Sequence, residues 1–261
     1  MSVRTMSTRT TLIVVVIATA GLAGLAGCGV APPATQHPAV PVALTQSGPG
    51  RGNDSGNTAP QAASQLPRQL PGLGPATLAQ VPASASQVII VTGAGINAPT
   101  STVVLWQRTP EGWQAGQSWP AHNGDAGWSA EHMNNDLRSP IGVFTLTDAG
   151  GLLADPGSKL PYHQGNGFHI SGTGFDGESL AGAFDYVIAI NYNRVPGKSP
   201  LDWTMPLGPQ RGGQIWFHVD HGGPTHGCVS LPGPDMITLL QTLDPGQNPV
   251  VVMGDAGSLS Q

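Results

Sequence analysis

The chain has 261 residues, 10 Lys and Arg against 15 Asp and Glu, and a formal net charge of −5 at pH 7. Charged residues are 10% of it, against roughly 25% in an average globular protein, and no basic run occurs, which argues against a nucleic-acid partner. Polarity comes instead from Ser, Thr, Asn, Gln and Gly, a composition common among exported β-rich domains.

At the N-terminus, Arg4 and Arg9 precede an apolar run over 12–20 and a Gly/Ala/Leu stretch that ends at Cys28. A basic start followed by a short apolar run has the form of an export signal, and the run is short for a membrane span. Leu25-Ala26-Gly27-Cys28 resembles the bacterial lipobox. The resemblance implies a lipoprotein signal peptide over 1–27, lipidation of the Cys28 thiol, and an anchor on the outer face of the cell membrane, facing the wall. An ordinary secretory signal with an incidental cysteine is the plainer alternative. The only other cysteine is Cys228. If Cys28 carries lipid, Cys228 is unpaired in a disulfide-permissive compartment, and an unpaired thiol there is a candidate reactive group.

Residues 28–85 are rich in Pro, Ala, Ser and Gln, and all fourteen aromatic residues of the chain fall between Trp106 and Phe217. A segment without aromatics cannot bury enough surface to offset its chain entropy, so 28–85 is expected to be a disordered tether. Its mean reach would be about 40–45 Å. Residues 86–261 then form one domain. Apolar, β-branched runs at 87–92 and 102–107 read as strands, the second turning through Pro110-Glu111-Gly112 into Trp113 as a hairpin. Further strands are expected at 142–147, 168–171, 186–192, 214–219 and 249–253. Residues 235–243 carry Met236, Ile237, Leu239, Leu240 and Leu243 at helical spacing. The fold class is mostly β with one late α-helix.

The chemistry concentrates in IWFHVDHGGPTHGCVSLP, residues 215–232. With 215–219 as a strand, Ile215, Phe217 and Val219 face the core while Trp216 and His218 face the other side. Gly222-Gly223-Pro224 marks a turn, and the chain returns through His226-Gly227-Cys228, which can bring the His218 imidazole against the Cys228 thiol. A free thiol is only a few per cent ionised at pH 7, and a neighbouring imidazole supplies the missing base. Gly227 permits close approach of another backbone. The amides of His226, Gly227 and Cys228 are candidate donors to an oxyanion, and the Val219 carbonyl is a candidate to orient the imidazole.

Thr225-His226-Gly227-Cys228-Val229-Ser230 resembles the signature of the L,D-transpeptidase catalytic domain, the YkuD family. Arg138-Ser139-Pro140-Ile141-Gly142-Val143-Phe144 is similar to that family's T/S-P-x-G-x-F segment, and the hairpin over 103–113 to its opening strands. The resemblance implies a β-sandwich or barrel and a thiol enzyme acting on peptidoglycan stem peptides. Cys228 would be the nucleophile and His218 the general base, with His226 shaping the oxyanion site; no cofactor or metal is implied. Carbapenems are expected to acylate Cys228. Tyr192, Trp216, Thr225 and Ser230 are candidate substrate contacts. The span from His218 to Cys228 is shorter than is usual in the family, and Ser230 stands where many members have Asn.

Sortases need an arginine after the cysteine, and nothing basic follows Arg211; papain-like and NlpC/P60-type enzymes place the cysteine before the histidine, and no histidine follows His226. A tetrahedral metal set from His218, His221, His226 and Cys228 matches no familiar zinc spacing. Transfer to water, which would make an L,D-carboxypeptidase, remains open, as does a non-catalytic peptidoglycan-binding lipoprotein.

Overall fold

The computed structural model describes residues 65–261. The expected signal peptide over 1–27, Cys28 and the first part of the tether lie outside the described residues. In chain order the elements are α1 (Pro75–Leu78), β1 (Gln87–Gly93), β2 (Thr100–Thr109), β3 (Gly112–His122), β4 (Trp128–Ser129), β5 (Ser139–Pro140), β6 (Gly142–Gly151), β7 (Tyr162–Gln164), β8 (Val187–Ile190), β9 (Trp216–Val219), β10 (Val229–Leu231), α2 (Gly233–Thr242), β11 (Val250–Asp255) and α3 (Ala256–Leu259). The main sheet runs β11-β1-β2-β3-β10-β9-β8-β6-β7, and β11 also pairs with β6. Eight strands therefore close into a ring, with β7 attached to β6. No helix among the described residues is long and apolar enough to cross a membrane.

An eight-stranded ring is just wide enough for side chains to fill. Ile89 and Val91 of β1, Phe217 of β9, Leu231 of β10 and Val251 and Met253 of β11 all belong to one buried cluster. Helix α2 adds Met236, Leu239 and Leu240 to it, followed by Leu243, so the late helix stands where its apolar spacing places it.

The other faces of β1 and β11 are also apolar. Val88, Ile90, Val250 and Val252 form a second cluster with Leu70, Trp113 and Leu259, and Leu73, Leu78 and Val81 pack on it. Residues 65–85 therefore belong to the folded body, which corrects the assignment of this stretch to the tether. The physical cause is visible in β1: Val88-Ile89-Ile90-Val91 is apolar on both faces, and a strand of that kind needs cover on both. The cover is pinned by backbone hydrogen bonds from Gly74 to Leu259 (2.9 Å) and from Trp113 to Pro67 (2.8 Å). Leu70→Ala is expected to cost about 2–4 kcal/mol, read from denaturant unfolding, and a chain begun at residue 86 should melt well below one begun at 65. Equal melting temperatures would remove residues 65–85 from the stable unit.

Two further strand expectations change. Residues 168–171 form no strand; a 3₁₀ turn spans Asn166–Phe168, because Gly165 and Gly167 favour a turn and Phe168 drops into a third cluster with Val187, Ala189 and Trp216. The return after residue 219 does lead to a strand, but β10 runs parallel to β9, so 220–228 is a crossing connection.

Candidate active site

The β9–β10 register sets His218 and Cys228 on one face of the sheet despite the short connection between them. Ser230 is the register partner of His218, and Cys228, two residues earlier, projects to the same side as Ser230. His218 and Cys228 are thus diagonal neighbours on the outer face of the ring. Both line one cavity of about 130 Å³, walled by Ile170, Leu180, Ala183 and Phe184. A larger cavity of about 370 Å³ lies at α1, β6 and α3, but no cysteine, histidine or charged side chain lines it.

His218 is buried, with Nδ1 donating to the Val219 carbonyl at 2.9 Å. A carbonyl only accepts, so the proton sits on Nδ1 and Nε2 is left as the basic nitrogen. Burial pushes the imidazole down to about 4, against the opposing pull of the Val219 hydrogen bond. The half-buried Cys228 thiol lies 3.6 Å from the Gln214 carbonyl and accepts from the Trp216 amide at 3.4 Å. Burial pushes this thiol up to about 11. At neutral pH the resting pair is therefore uncharged on both sides.

The turn before Cys228 is held from within and from β5. Thr225 Oγ1 donates to the Cys228 carbonyl at 2.7 Å and accepts from the Gly227 amide at 3.1 Å. Ser139, fully buried, adds a hydrogen bond to the Cys228 carbonyl at 3.3 Å and accepts from Gly124 at 2.9 Å. Gly227 has φ +145°, and a Cβ there would meet the Arg138 carbonyl at 2.9 Å. Only glycine fits that approach. The Ser139-Pro140 segment and the THGC turn, far apart in sequence, are thus one piece of local structure.

The expected oxyanion donors divide. The Gly227 amide is already engaged by Thr225, which removes it from the set, whereas His226 is exposed beside the cavity. Of the expected substrate contacts, Tyr192, Trp216 and Ser230 are buried. The Tyr192 hydroxyl reaches the His132 and Arg211 carbonyls, Trp216 packs on Phe168 and Phe184, and Ser230 donates to Asp220 at 2.7 Å. These three support the site from inside and offer no face to a substrate. Thr225 borders the cavity but spends its hydroxyl on the turn.

Other residues enter that motif reading passes over. Glu178 Oε1 lies 2.9 Å from His221 Nδ1, and His221 stacks on His218 with ring centroids 5.7 Å apart. Phe175, on the same loop, packs on His226 at 4.6 Å. Asp220 accepts from both Ser230 and His122, the latter at 2.8 Å; burial alone would raise its carboxyl, but these bonds hold it below the usual range. His132, with Asp136 beside it at 2.9 Å, lines a second cavity that also reaches Cys228. Glu178, Phe175, His122 and His132 come from segments far from residues 215–232 in the sequence. Among the described residues no three His, Cys, Asp or Glu side chains are grouped to hold a metal ion.

No curated protein matches the sequence. A solved structure of Bd1075 from Bdellovibrio bacteriovorus is similar at 17% identity over 66% of this chain and 48% of that one, with a TM-score of 0.38. This chain thus spans about half of that protein, and so distant a likeness carries no argument. Residues 96–252 match the model of the YkuD L,D-transpeptidase catalytic domain, a span that holds His218, Ser139 and the whole THGC turn. The match covers more than half of the sequence, and the chain belongs to that family.

Proposed function

We propose that the protein is an L,D-transpeptidase that works through a Cys228 thioester on peptidoglycan tetrapeptide stems. The observation that carries this reading is the shared cavity of His218 and Cys228, with the imidazole fixed so that Nε2 is its free nitrogen. Nε2 takes the thiol proton as sulfur attacks the carbonyl that joins meso-diaminopimelate to the terminal D-alanine. The bond to D-alanine breaks, its nitrogen leaves with that proton, and the acyl group stays on sulfur. An amine of a neighbouring stem then takes the acyl group and frees the thiol. Because both groups are neutral at rest, proton transfer accompanies attack. The His226 and Cys228 amides are the donors assigned to the oxyanion.

The lipobox-like stretch supports anchoring through Cys28 on the outer face of the membrane, which would keep the site near newly made wall. A carbapenem provides the first test. Ring opening by Cys228 expels nothing, so the intact mass should rise by one whole inhibitor, with the modification on the peptide containing residue 228. A thiol that stays inert to carbapenem counts against the enzyme and favours a wall-binding lipoprotein.

A further inference from the structure

Cys228 and His226 are the common wall of two cavities. His218 lies on the first. The second, of about 120 Å³, is lined by His132, Asn134, Gly212, Gln214 and Gly227, among others. We propose that His132, backed by Asp136, is the base that deprotonates the acceptor amine as it attacks the Cys228 thioester. The proposal rests on the transpeptidase reading and adds to it a second, separate base for the second half of the reaction.

His132 is nine-tenths buried yet lines this cavity, on the loop between β4 and β5. Nδ1 stands 2.9 Å from Asp136 Oδ1 but out of line for a hydrogen bond, which leaves it without a partner in the resting structure. Asp136 itself is fixed, accepting from the Arg138 amide at 2.9 Å and from the Met133 amide at 2.8 Å. Its neighbours Asn135 and Leu137 have φ of 64° and 59°, a conformation that a leucine rarely holds. A carboxylate beside Nδ1 favours the proton there and leaves Nε2 as the acceptor. Nε2 faces Gly212, where a Cβ would stand 2.9 Å away, and Cε1 faces Gly227, where one would stand 3.6 Å away. Both residues lack the side chain that would cover the ring.

The chemistry asks for such a group. As the amine attacks, the new C–N bond forms, the C–S bond breaks, and its electron pair leaves on Cys228. The nitrogen must shed a proton, which His132 Nε2 accepts; solvent carries it on, and the thiolate regains one. Burial lowers the His132 pKa, Asp136 and the Arg138 backbone oppose this, and Arg211, paired with Glu131 at 2.7 Å, adds a smaller lowering. Tyr192 packs edge-on at 5.2 Å. The net lowering favours the neutral imidazole, the form that can accept a proton.

The test uses the full chain in detergent and separates the two half-reactions. His132→Gln is acylated with a disaccharide-tetrapeptide, followed by intact mass, then mixed with a second tetrapeptide stem as acceptor or with hydroxylamine, which cleaves thioesters without a base. Acylation and hydroxylamine cleavage should stay within about twofold of wild type, while transfer to the stem amine falls about 100-fold or more. Transfer should also lose its acid-side pH dependence. In His132→Ala, added imidazole should restore part of the transfer. Unchanged transfer overturns the proposal, as does a joint fall of acylation, hydroxylamine cleavage and transfer, which would mark a structural role. Absence of any acyl-enzyme in wild type sinks the transpeptidase reading itself, and this proposal with it.

Discussion

Cys228→Ser is expected to lose acyl-enzyme formation altogether. The site offers little base strength. Burial holds the thiol up at about 11 and the His218 imidazole down at about 4, so the charged pair is a minor species before substrate arrives. A thiol tolerates this because sulfur is strongly nucleophilic even when sparsely ionised. A serine hydroxyl holds its proton far more tightly, and so weak a base cannot remove it. The rate should fall by at least about 10⁴-fold, the upper end of what general-base assistance supplies. Intact mass after exposure to tetrapeptide or carbapenem measures it. A serine variant acylated at a comparable rate would show that the thiol is not what the site is built around.

His218→Gln is the second large effect, expected to slow acylation by about 10²–10⁴-fold. Its pH behaviour separates it from a packing defect. His218 must be neutral to accept a proton, and its pKa lies at about 4. Wild-type acylation should therefore hold a plateau through neutral pH and fall only as pH drops through about 4, well below the ordinary imidazole range. The same shift links to stability. Below about pH 6.5 the unfolded chain binds a proton that the folded chain refuses, so stability present above 6.5 is lost as pH falls through about 4. The loss approaches about 3 kcal/mol at 1.36 kcal/mol per pK unit, and the glutamine variant should not show it. An acid limb near 6.5 in wild type would mean that the imidazole is not desolvated as described.

Much of this was legible in residues 215–232. The alternation Ile215-Trp216-Phe217-His218 does send Phe217 into the ring and His218 outward, because period-two alternation is a local property of a strand. The glycine before Cys228 is required for the steric reason that its position suggests. Trp216, Tyr192 and Ser230 misled because aromatic and small polar residues serve a packed support as readily as a substrate surface. The cover over 65–85 was hidden for a different reason. Its four apolar anchors, Leu70, Leu73, Leu78 and Val81, are sparse among Pro, Gln and Gly, and composition averages them away. The signal lay in the partner strands, in Val88-Ile89-Ile90-Val91 and Val250-Val251-Val252-Met253, whose unbroken apolarity asks for burial on both sides. His132 and Glu178 could not have been placed at all without the register that brings their loops to Cys228.

The proposed function stands on one step, in which Cys228 takes the acyl group of a tetrapeptide stem and expels D-alanine. It is tested most directly by mixing the full chain with a disaccharide-tetrapeptide and recording the intact mass beside free D-alanine. The expected result is a mass gain equal to the donor less D-alanine, located on Cys228, with one D-alanine released for each acyl-enzyme formed. A chain that binds the donor yet shows no mass gain and no D-alanine would contradict it.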